Sequence, residues 1–411
     1  MASIRKRTWT SKGVEKSAWV VDYFDQSKVK RRKTFATKKQ AVDWATTALH
    51  EVKQGIHTPA STSVTVARAG ELWLEECEAE GLEFSTVRQR RQHLNLHINK
   101  HLGGVRLSEL TTPLIYQFDG QLRTAGTSLA MRRKILTSIK TMLSFAQKRG
   151  LVAQNVAGPV KLKRDDREEK GPLREGVDYP SRAQMKTLMD TATPRWRPLL
   201  IVAMFTGMRA SELRGLPWSN VDLEQGMIHV RQRADAWGKI GKPKSKAGAR
   251  DIPLPPMVIN TLREWKETCP KRDSGAKDAS GQPVMVLDLV FPNGLGNVES
   301  LQNIYKRFWT PVQVKAGLAD IEPVLDDRGK PVLDEDGAPR IVAVPKFSFH
   351  ALRHVAASLF IAYLGWTPKR VQEVMGHSSI TVTYDTYGHL FQDKDADRDS
   401  MKKLEAAIAA A

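Results

Sequence analysis

The sequence is short of cysteine, of long apolar runs and of acidic residues to balance its basic ones. Cys77 and Cys269 are its two cysteines, 192 positions apart. They can build neither a disulfide framework nor a four-cysteine zinc site, so a reducing compartment is the default. No uncharged apolar run approaches the ~18 residues of a membrane span. The opening MASIRKRTWTSKG has basic residues with no apolar core behind them, which argues against secretion. No G-x-x-x-x-G-K-[ST] loop occurs, so a P-loop for ATP is excluded. What is abundant is positive charge: 64 Lys and Arg against 45 Asp and Glu, a net +19. That balance points to a polyanion, with nucleic acid first. The 411 residues, 41% of them hydrophobic, suffice for two to four globular domains.

Residues 1–57 hold 13 Lys and Arg against 5 Asp and Glu, a net +8. Trp19–Phe24 and the region around Thr34–Thr37 read as short strands, with Lys30, Arg31, Arg32 and Lys33 near the turn between them as candidate DNA contacts. Thr37 reads as the N-cap of a helix over 38–54. This segment is expected to be a small α/β binding module. Residues 64–157 read as a helical bundle. One helix begins with Val66, Ala69, Leu72, Trp73 and Leu74, a second carries Arg88, Arg90 and Arg91 as a basic face, and a third runs over 128–149. Residues 158–179 lack an apolar period and read as a linker. From 180 to 393 the pattern is mixed: Ser181 caps a helix, 197–208 is an apolar helix, and 227–230 and 250–254 are strands. Within that span VLDDRGKP is followed by VLDEDGAP at 324–339, which suggests a hairpin insertion. Seven acidic and two basic residues between Asp320 and Asp336 make this an acidic loop, expected to face away from DNA. In a tail over 394–411, Met401, Leu404 and Ile408 give a narrow apolar stripe on a short helix.

Four elements of the third segment carry chemistry. They are Thr206-Gly207-Met208-Arg209-Ala210-Ser211-Glu212, the lysine turn Pro243-Lys244-Ser245-Lys246-Ala247-Gly248-Ala249-Arg250, His350-Ala351-Leu352-Arg353-His354, and Gly376-His377 with Tyr387 ten residues beyond the histidine. Attack on a phosphodiester by a side-chain oxygen builds negative charge on the phosphoryl oxygens, which suits two planar, permanently charged guanidiniums. A tyrosine nucleophile needs a proton acceptor, and the departing 5′-oxygen needs a donor. His350 and His354 also stand at zinc-helix spacing, but Ala351 occupies the place of a metalloprotease glutamate, so no metal is expected and His354 reads as structural. Tyr384 is a rival nucleophile, and Lys242 and Lys246 compete with Lys244.

In this order the four elements resemble the tyrosine recombinase family, in particular its phage-type integrases. The resemblance implies a multidomain chain: a small α/β arm-binding module, an all-α core-binding bundle and a mainly α catalytic domain with a small β-sheet. It implies a catalytic set of Arg209, Lys244, His350, Arg353, His377 and Tyr387, with Glu212 in support. Arg209 and Arg353 would hold the phosphate, His350 would be the base, Lys244 the acid, and His377 a phosphate ligand. The activity implied is cutting and rejoining of DNA through a 3′-phosphotyrosyl link, which keeps the energy of the broken bond and so needs neither ATP nor another cofactor. The implied partners are double-stranded DNA at attachment sites, three further copies in a homotetramer, a host DNA-bending protein and an excision factor. The implied location is the cytoplasm, on the nucleoid when bound. A cleavage-inactive architectural or regulatory DNA-binding protein on the same fold is the alternative reading. A type IB topoisomerase or nuclease, a third reading, would not require the two N-terminal DNA-binding modules or assembly around paired sites.

Overall fold

The computed structural model describes residues 2–11, 14–25, 27–55, 57–60, 63–162, 171–326, 329–391 and 405–408. It divides into two compact units, Met1–Glu169 and Lys170–Ala411.

The first unit opens with an antiparallel sheet of β1 (Ser3–Ser11), β2 (Val14–Phe24) and β3 (Lys30–Phe35). Helix α1 (Lys38–Gln54) follows, and its start is set by a capping box in which Thr37 accepts from the Gln40 amide while the Gln40 side chain accepts from the Thr37 amide. Val21, Ala41 and Ala45 form the small core between sheet and helix. Lys30–Lys33 therefore lie on a strand and not in a turn. Strand β1 was not foreseen, because SIRKRTWTS offers basic and polar residues where a strand signal needs apolar alternation.

The bundle that follows comprises α2 (Val66–Ala79), α3 (Phe84–His93), a π turn (Leu94–Ile98) leading into α4 (Asn99–Leu102), α5 (Thr112–Thr124) and α6 (Leu129–Lys148). Thr65, Thr111 and Ser128 cap α2, α5 and α6. The core takes Trp73, Leu94, Ile98, Ile115, Phe118, Ile135, Ile139 and Met142, which is the 3.6-residue periodicity turned inward.

The second unit contains α7 (Arg182–Thr191), capped by Ser181, then the apolar α8 (Arg197–Thr206) and the short α9 (Ala210–Arg214). Strands β4 (Val221–Asp222), β5 (Met227–Val230) and β8 (Arg250–Pro253) form an antiparallel sheet, with the hairpin of β6 (Arg233–Ala234) and β7 (Ile240–Gly241) inserted between β5 and β8. Helix α10 (Pro256–Thr268) is followed by the hairpin of β9 (Arg272–Lys277) and β10 (Pro283–Val286). Next, α11 (Leu301–Asn303) passes through a π turn (Ile304–Trp309) into α12 (Thr310–Lys315). The repeat at 324–339 lies between the paired strands β11 (Ala319–Pro323) and β12 (Ile341–Pro345). Helices α13 (Ala351–Ala362), α14 (Pro368–Met375) and α15 (Ile380–Tyr387) close the unit. Its core is built on α8 and α13, with Trp309 and Phe347 among its largest fully buried side chains.

The segment 158–179, expected to be a linker, is anchored at both ends. Val160 is fully buried in the bundle core, and Tyr179 is buried in the core of the second unit. Residues 163–170 between them, and the tail positions Met401 and Leu404, lie outside the described residues. Residues 405–408 are helical, with Ile408 exposed. No helix among the described residues is long and apolar enough to cross a membrane.

Candidate active site

Helix α8 ends at Gly207, whose φ of 62° is the left-handed conformation that glycine adopts without a Cβ penalty. A Cβ there would lie 2.7 Å from the Met375 sulfur. The chain thus turns tightly beneath α14 and delivers Arg209 as the residue before α9. Glu212, three residues on, accepts from the Arg209 amide at 2.9 Å and from its guanidinium at 2.8 Å.

Glu212 is 2% exposed and receives a second guanidinium, Arg250, through two bonds of 3.1 and 2.9 Å. Burial alone would push its carboxyl up, but Arg250, ahead of Arg209, outweighs this and holds it below the usual range. Arg250 is itself buried. Sequence reasoning assigned it no role, although it closes the lysine-turn motif; only the fold brings it to Glu212.

The C-terminus of α14 gathers three arginines from three distant stretches of chain. Arg250 Nε donates to the Val374 carbonyl at 2.6 Å, Arg353 Nη2 to Met375, and Arg209 Nη2 to Gly376 at 3.0 Å. Arg353 Nη1 also donates to the Gly207 carbonyl at 2.6 Å. Carbonyls at a helix C-terminus carry partial negative charge and lack intrahelical donors, so they are suited to hold guanidiniums. Arg353 is buried, and desolvation, followed by Arg209 and Arg250, lowers it to about 9. It is still a cation at neutral pH.

Tyr387, the last residue of α15, is 2% exposed, whereas Tyr384 is 52% exposed. The helix therefore presents one tyrosine to the arginine cluster and the other to solvent. Desolvation raises the Tyr387 phenol to about 12, with Arg353 pulling it down. Its ring stacks on His377 at 6.2 Å between centroids and 15° between planes. His377 is buried, bonds Thr383 Oγ1 through Nδ1 at 2.9 Å, and is lowered to about 3 by desolvation, then by Arg353, Arg209 and Arg250. It is a neutral imidazole.

The Tyr387 hydroxyl meets His354 Nδ1 at 2.8 Å. The sequence reading had His354 as structural and His350 as the base; the residue in contact with the hydroxyl here is His354. His350 is exposed at the start of α13, its ring edge-on to His354 at 5.4 Å. Desolvation, then Arg353 and Arg209, lower its pKa. The i, i+4 spacing of the two histidines put them on one helix face, but which of them meets the tyrosine depends on where α15 packs.

The lysine turn packs beside this cluster. A Cβ on Gly376, whose φ is 66°, would lie 2.8 Å from the Ala247 carbonyl oxygen and 3.0 Å from Arg250. Lys242, Lys244 and Lys246 are all exposed, and Lys246 begins a single turn of 3-10 helix through Gly248. Among the described residues no group of three His, Cys, Asp or Glu side chains is placed to hold a metal ion.

The predicted DNA-binding runs do not each form one face. In β3 the strand alternation sends Lys30 and Arg32 to the sheet face shared with Arg5, Arg7 and Lys16, while Arg31 and Lys33 point toward α1. Lys33 Nζ lies 4.9 Å over the Trp44 ring, and Arg31 pairs with Asp25 at 2.8 Å. On α3, Arg90 stacks 4.9 Å over Trp73 and Arg91 pairs with Glu78 at 2.7 Å, while Arg88 is exposed. Positions 88 and 90 are about 200° apart around a helix, so one basic face cannot hold both.

The family model for the phage integrase family matches residues 181–394. The chain belongs to the phage integrase family. It is a tyrosine-type site-specific recombinase. All of the predicted catalytic positions of this family member fall within the matched span. It is 24% identical over 372 residues to a XerC-like tyrosine recombinase of Caldanaerobacter subterraneus subsp. tengcongensis, covering 86% of each chain. Its fold matches the Tn1549 transposon integrase solved with a circular intermediate DNA, with a TM-score of 0.60 at 18% identity, over 83% of this chain and 100% of that one. It also matches a lambda integrase tetramer bound to a Holliday junction, with a TM-score of 0.51 at 17% identity, over 91% and 92% of the two chains.

Proposed function

We propose that the chain integrates a phage or other mobile element by cutting and rejoining DNA at attachment sites, with Tyr387 as the nucleophile. What supports this reading is that Tyr387 is buried with its hydroxyl on His354, its ring on His377 and the charge of Arg353 acting on its phenol, while Tyr384 is exposed. Arg209 and Arg353 have their inward N–H groups occupied by backbone carbonyls, which leaves the remaining donors for the non-bridging oxygens of the scissile phosphate. His377 and the exposed His350 add neutral donors. Glu212 and Arg250 fix Arg209 in place, and Lys244 protonates the leaving 5′-oxygen.

The outer face of the N-terminal sheet, with Arg5, Arg7, Lys16, Lys30 and Arg32, binds arm-type DNA, and the helical bundle binds the core site through Arg88 and neighbouring basic residues. The active assembly is a homotetramer on two duplexes in the cytoplasm, aided by a bending protein and an excision factor. The test is a nicked duplex carrying a candidate site: the wild-type chain becomes covalently attached, and Tyr387→Phe binds the same DNA but gives no denaturant-resistant adduct. An adduct that persists in Tyr387→Phe and vanishes in Tyr384→Phe would overturn the assignment.

A further inference from the structure

Tyr387 sits at the very end of α15, where a helix has run out of backbone partners and its last turn frays most readily. Contacts from outside that turn must therefore fix it. On the upstream side its ring rests on His377, which bonds Thr383 of the same helix. On the downstream side the chain continues as a 3-10 turn over Gly388–Phe391, and there His389 Nε2 lies 3.0 Å from the Leu173 carbonyl oxygen, 216 positions back in the chain. A carbonyl only accepts, so Nε2 carries the proton and donates it. Leu173, Leu390 and Phe391 each pack against the core of the second unit.

Leu173 belongs to a short strap, residues 171–179, that is shaped by its own hydrogen bonds. Asp178 Oδ2 accepts from the Arg174 amide at 2.9 Å, the Asp178 amide donates to the Arg174 carbonyl at 2.9 Å, and the Gly176 amide donates to the Tyr179 carbonyl at 2.8 Å. The strap ends in Tyr179, which is 4% exposed, bonds Ser358 on α13, and lies near enough to Tyr387 for its charge to act there. The strap thus meets the surroundings of Tyr387 twice, through a carbonyl beyond it and through a phenol beside it.

We propose that His389 is a positioning residue: by bonding Leu173 it ties the turn after Tyr387 to the strap, and so holds the nucleophile at the arginine cluster. This inference rests on the reading of Tyr387 as the nucleophile. His389 touches no reacting atom and moves no proton of the reaction. It sets the fraction of chains in which Tyr387 is in place. One hydrogen bond is enough to shift such an equilibrium several-fold, and a nucleophile displaced by about 1 Å loses up to about 100-fold in rate. The strap is also the stretch by which the chain enters the second unit, so a pull on the residues before it reaches Tyr387 through this one carbonyl.

The experiment follows single-turnover adduct formation by the full chain on the nicked duplex, its affinity for intact duplex, and amide hydrogen exchange over 384–391 without DNA. His389→Ala is expected to slow adduct formation about tenfold, to leave the affinity within about twofold, and to speed exchange in that turn. His389→Gln, whose side-chain amide can donate to the same carbonyl, should recover most of the rate. Asp178→Ala loosens the strap from its other side and should also slow the reaction, whereas Asp178→Asn keeps an acceptor oxygen and should not. Because both act through one contact, His389→Ala/Asp178→Ala should be no more than about twofold slower than the slower single variant. Should His389→Ala fail to fold, His389→Gln and the two Asp178 variants carry the same test. An unchanged rate and unchanged exchange in His389→Ala, a loss that glutamine does not restore, or fully additive losses in the double variant would overturn the proposal. Mapping the adduct separates the two readings. Attachment at Tyr384 would refute the choice of Tyr387 and the proposal with it, whereas attachment at Tyr387 with an undiminished rate in His389→Ala would refute the role of His389 alone.

Discussion

Arginine does opposite things in the two halves of this molecule. On the N-terminal sheet, Arg5 and Arg32 reach Asp22 at 3.3 and 2.7 Å with their guanidiniums about half exposed, at 57% and 49%. In the second unit, Arg250 and Glu212 are 5% and 2% exposed at the side chain. Asp22 itself is only 9% exposed, but its two guanidinium partners face solvent, so they can reach a phosphate while one of them still covers the carboxylate. The second pair was desolvated during folding, and each charge now depends on the other. A surface that must grip and release many phosphates uses the first kind, and a site that must hold one phosphate in one orientation uses the second.

The largest expected effect breaks the comparison from the buried side. Arg250→Ala leaves Glu212 with one guanidinium and should cost about 3–5 kcal/mol in the stability of the second unit, read from urea unfolding. Arg32→Ala should stay within about 1 kcal/mol. Equal losses would mean that burial does not distinguish the pairs.

A smaller effect concerns acid. His354 and His377 are held at about 4 and about 3 in the folded chain, below the 6.5 of an unperturbed imidazole. Below about pH 6.5 the unfolded chain therefore takes up protons that the folded chain refuses, and stability falls as pH drops toward 4. Melting temperatures of the full chain should decline across this window, and the decline should be shallower in a His354→Gln/His377→Asn double variant. An unchanged slope would assign the acid loss to other groups.

The smallest effect lies on the exposed side. Neutralising Lys30 and Arg32 should lower the salt slope of binding to arm DNA by about 0.9 for each phosphate that is no longer neutralised. Neutralising Arg31 and Lys33, on the face toward α1, should leave that slope alone. The reverse pattern would invert the assignment of sheet faces.

The sequence was legible where the signal is local. The caps at Thr37 and Ser181, the apolar helix beginning at Arg197 and the strands around 227–230 and 250–253 follow from side-chain chemistry within one or two turns. One further local signal was used only for the repeat at 324–339. Asp235, Asp278, Asp326 and Asp334 each start an Asp-x-x-Gly turn in which the carboxylate accepts from the amide four residues on, and glycine takes the left-handed position. Lys28, with φ of 60°, fills the same place after Asp25. β3 was obscured because consecutive basic residues depress the strand signal even where the backbone pairs. The partners of Arg250 and His354 could not be read, since each meets a residue 38 or 33 positions away.

Helix α14 and the tandem turns at 324–339 tolerate changes of length very differently. Inserting or deleting one residue in α14 would rotate its last carbonyls by about 100°. That would unhook Arg209, Arg250 and Arg353 together, although none of the three belongs to the helix. The turns between β11 and β12, by contrast, repeat as eight-residue units, each closed by its own aspartate and glycine. A unit can be added or removed there without disturbing the arginine cluster. A change of length in that hairpin is therefore expected to leave the cluster intact, while one in α14 is expected to dismantle it through three side chains anchored elsewhere.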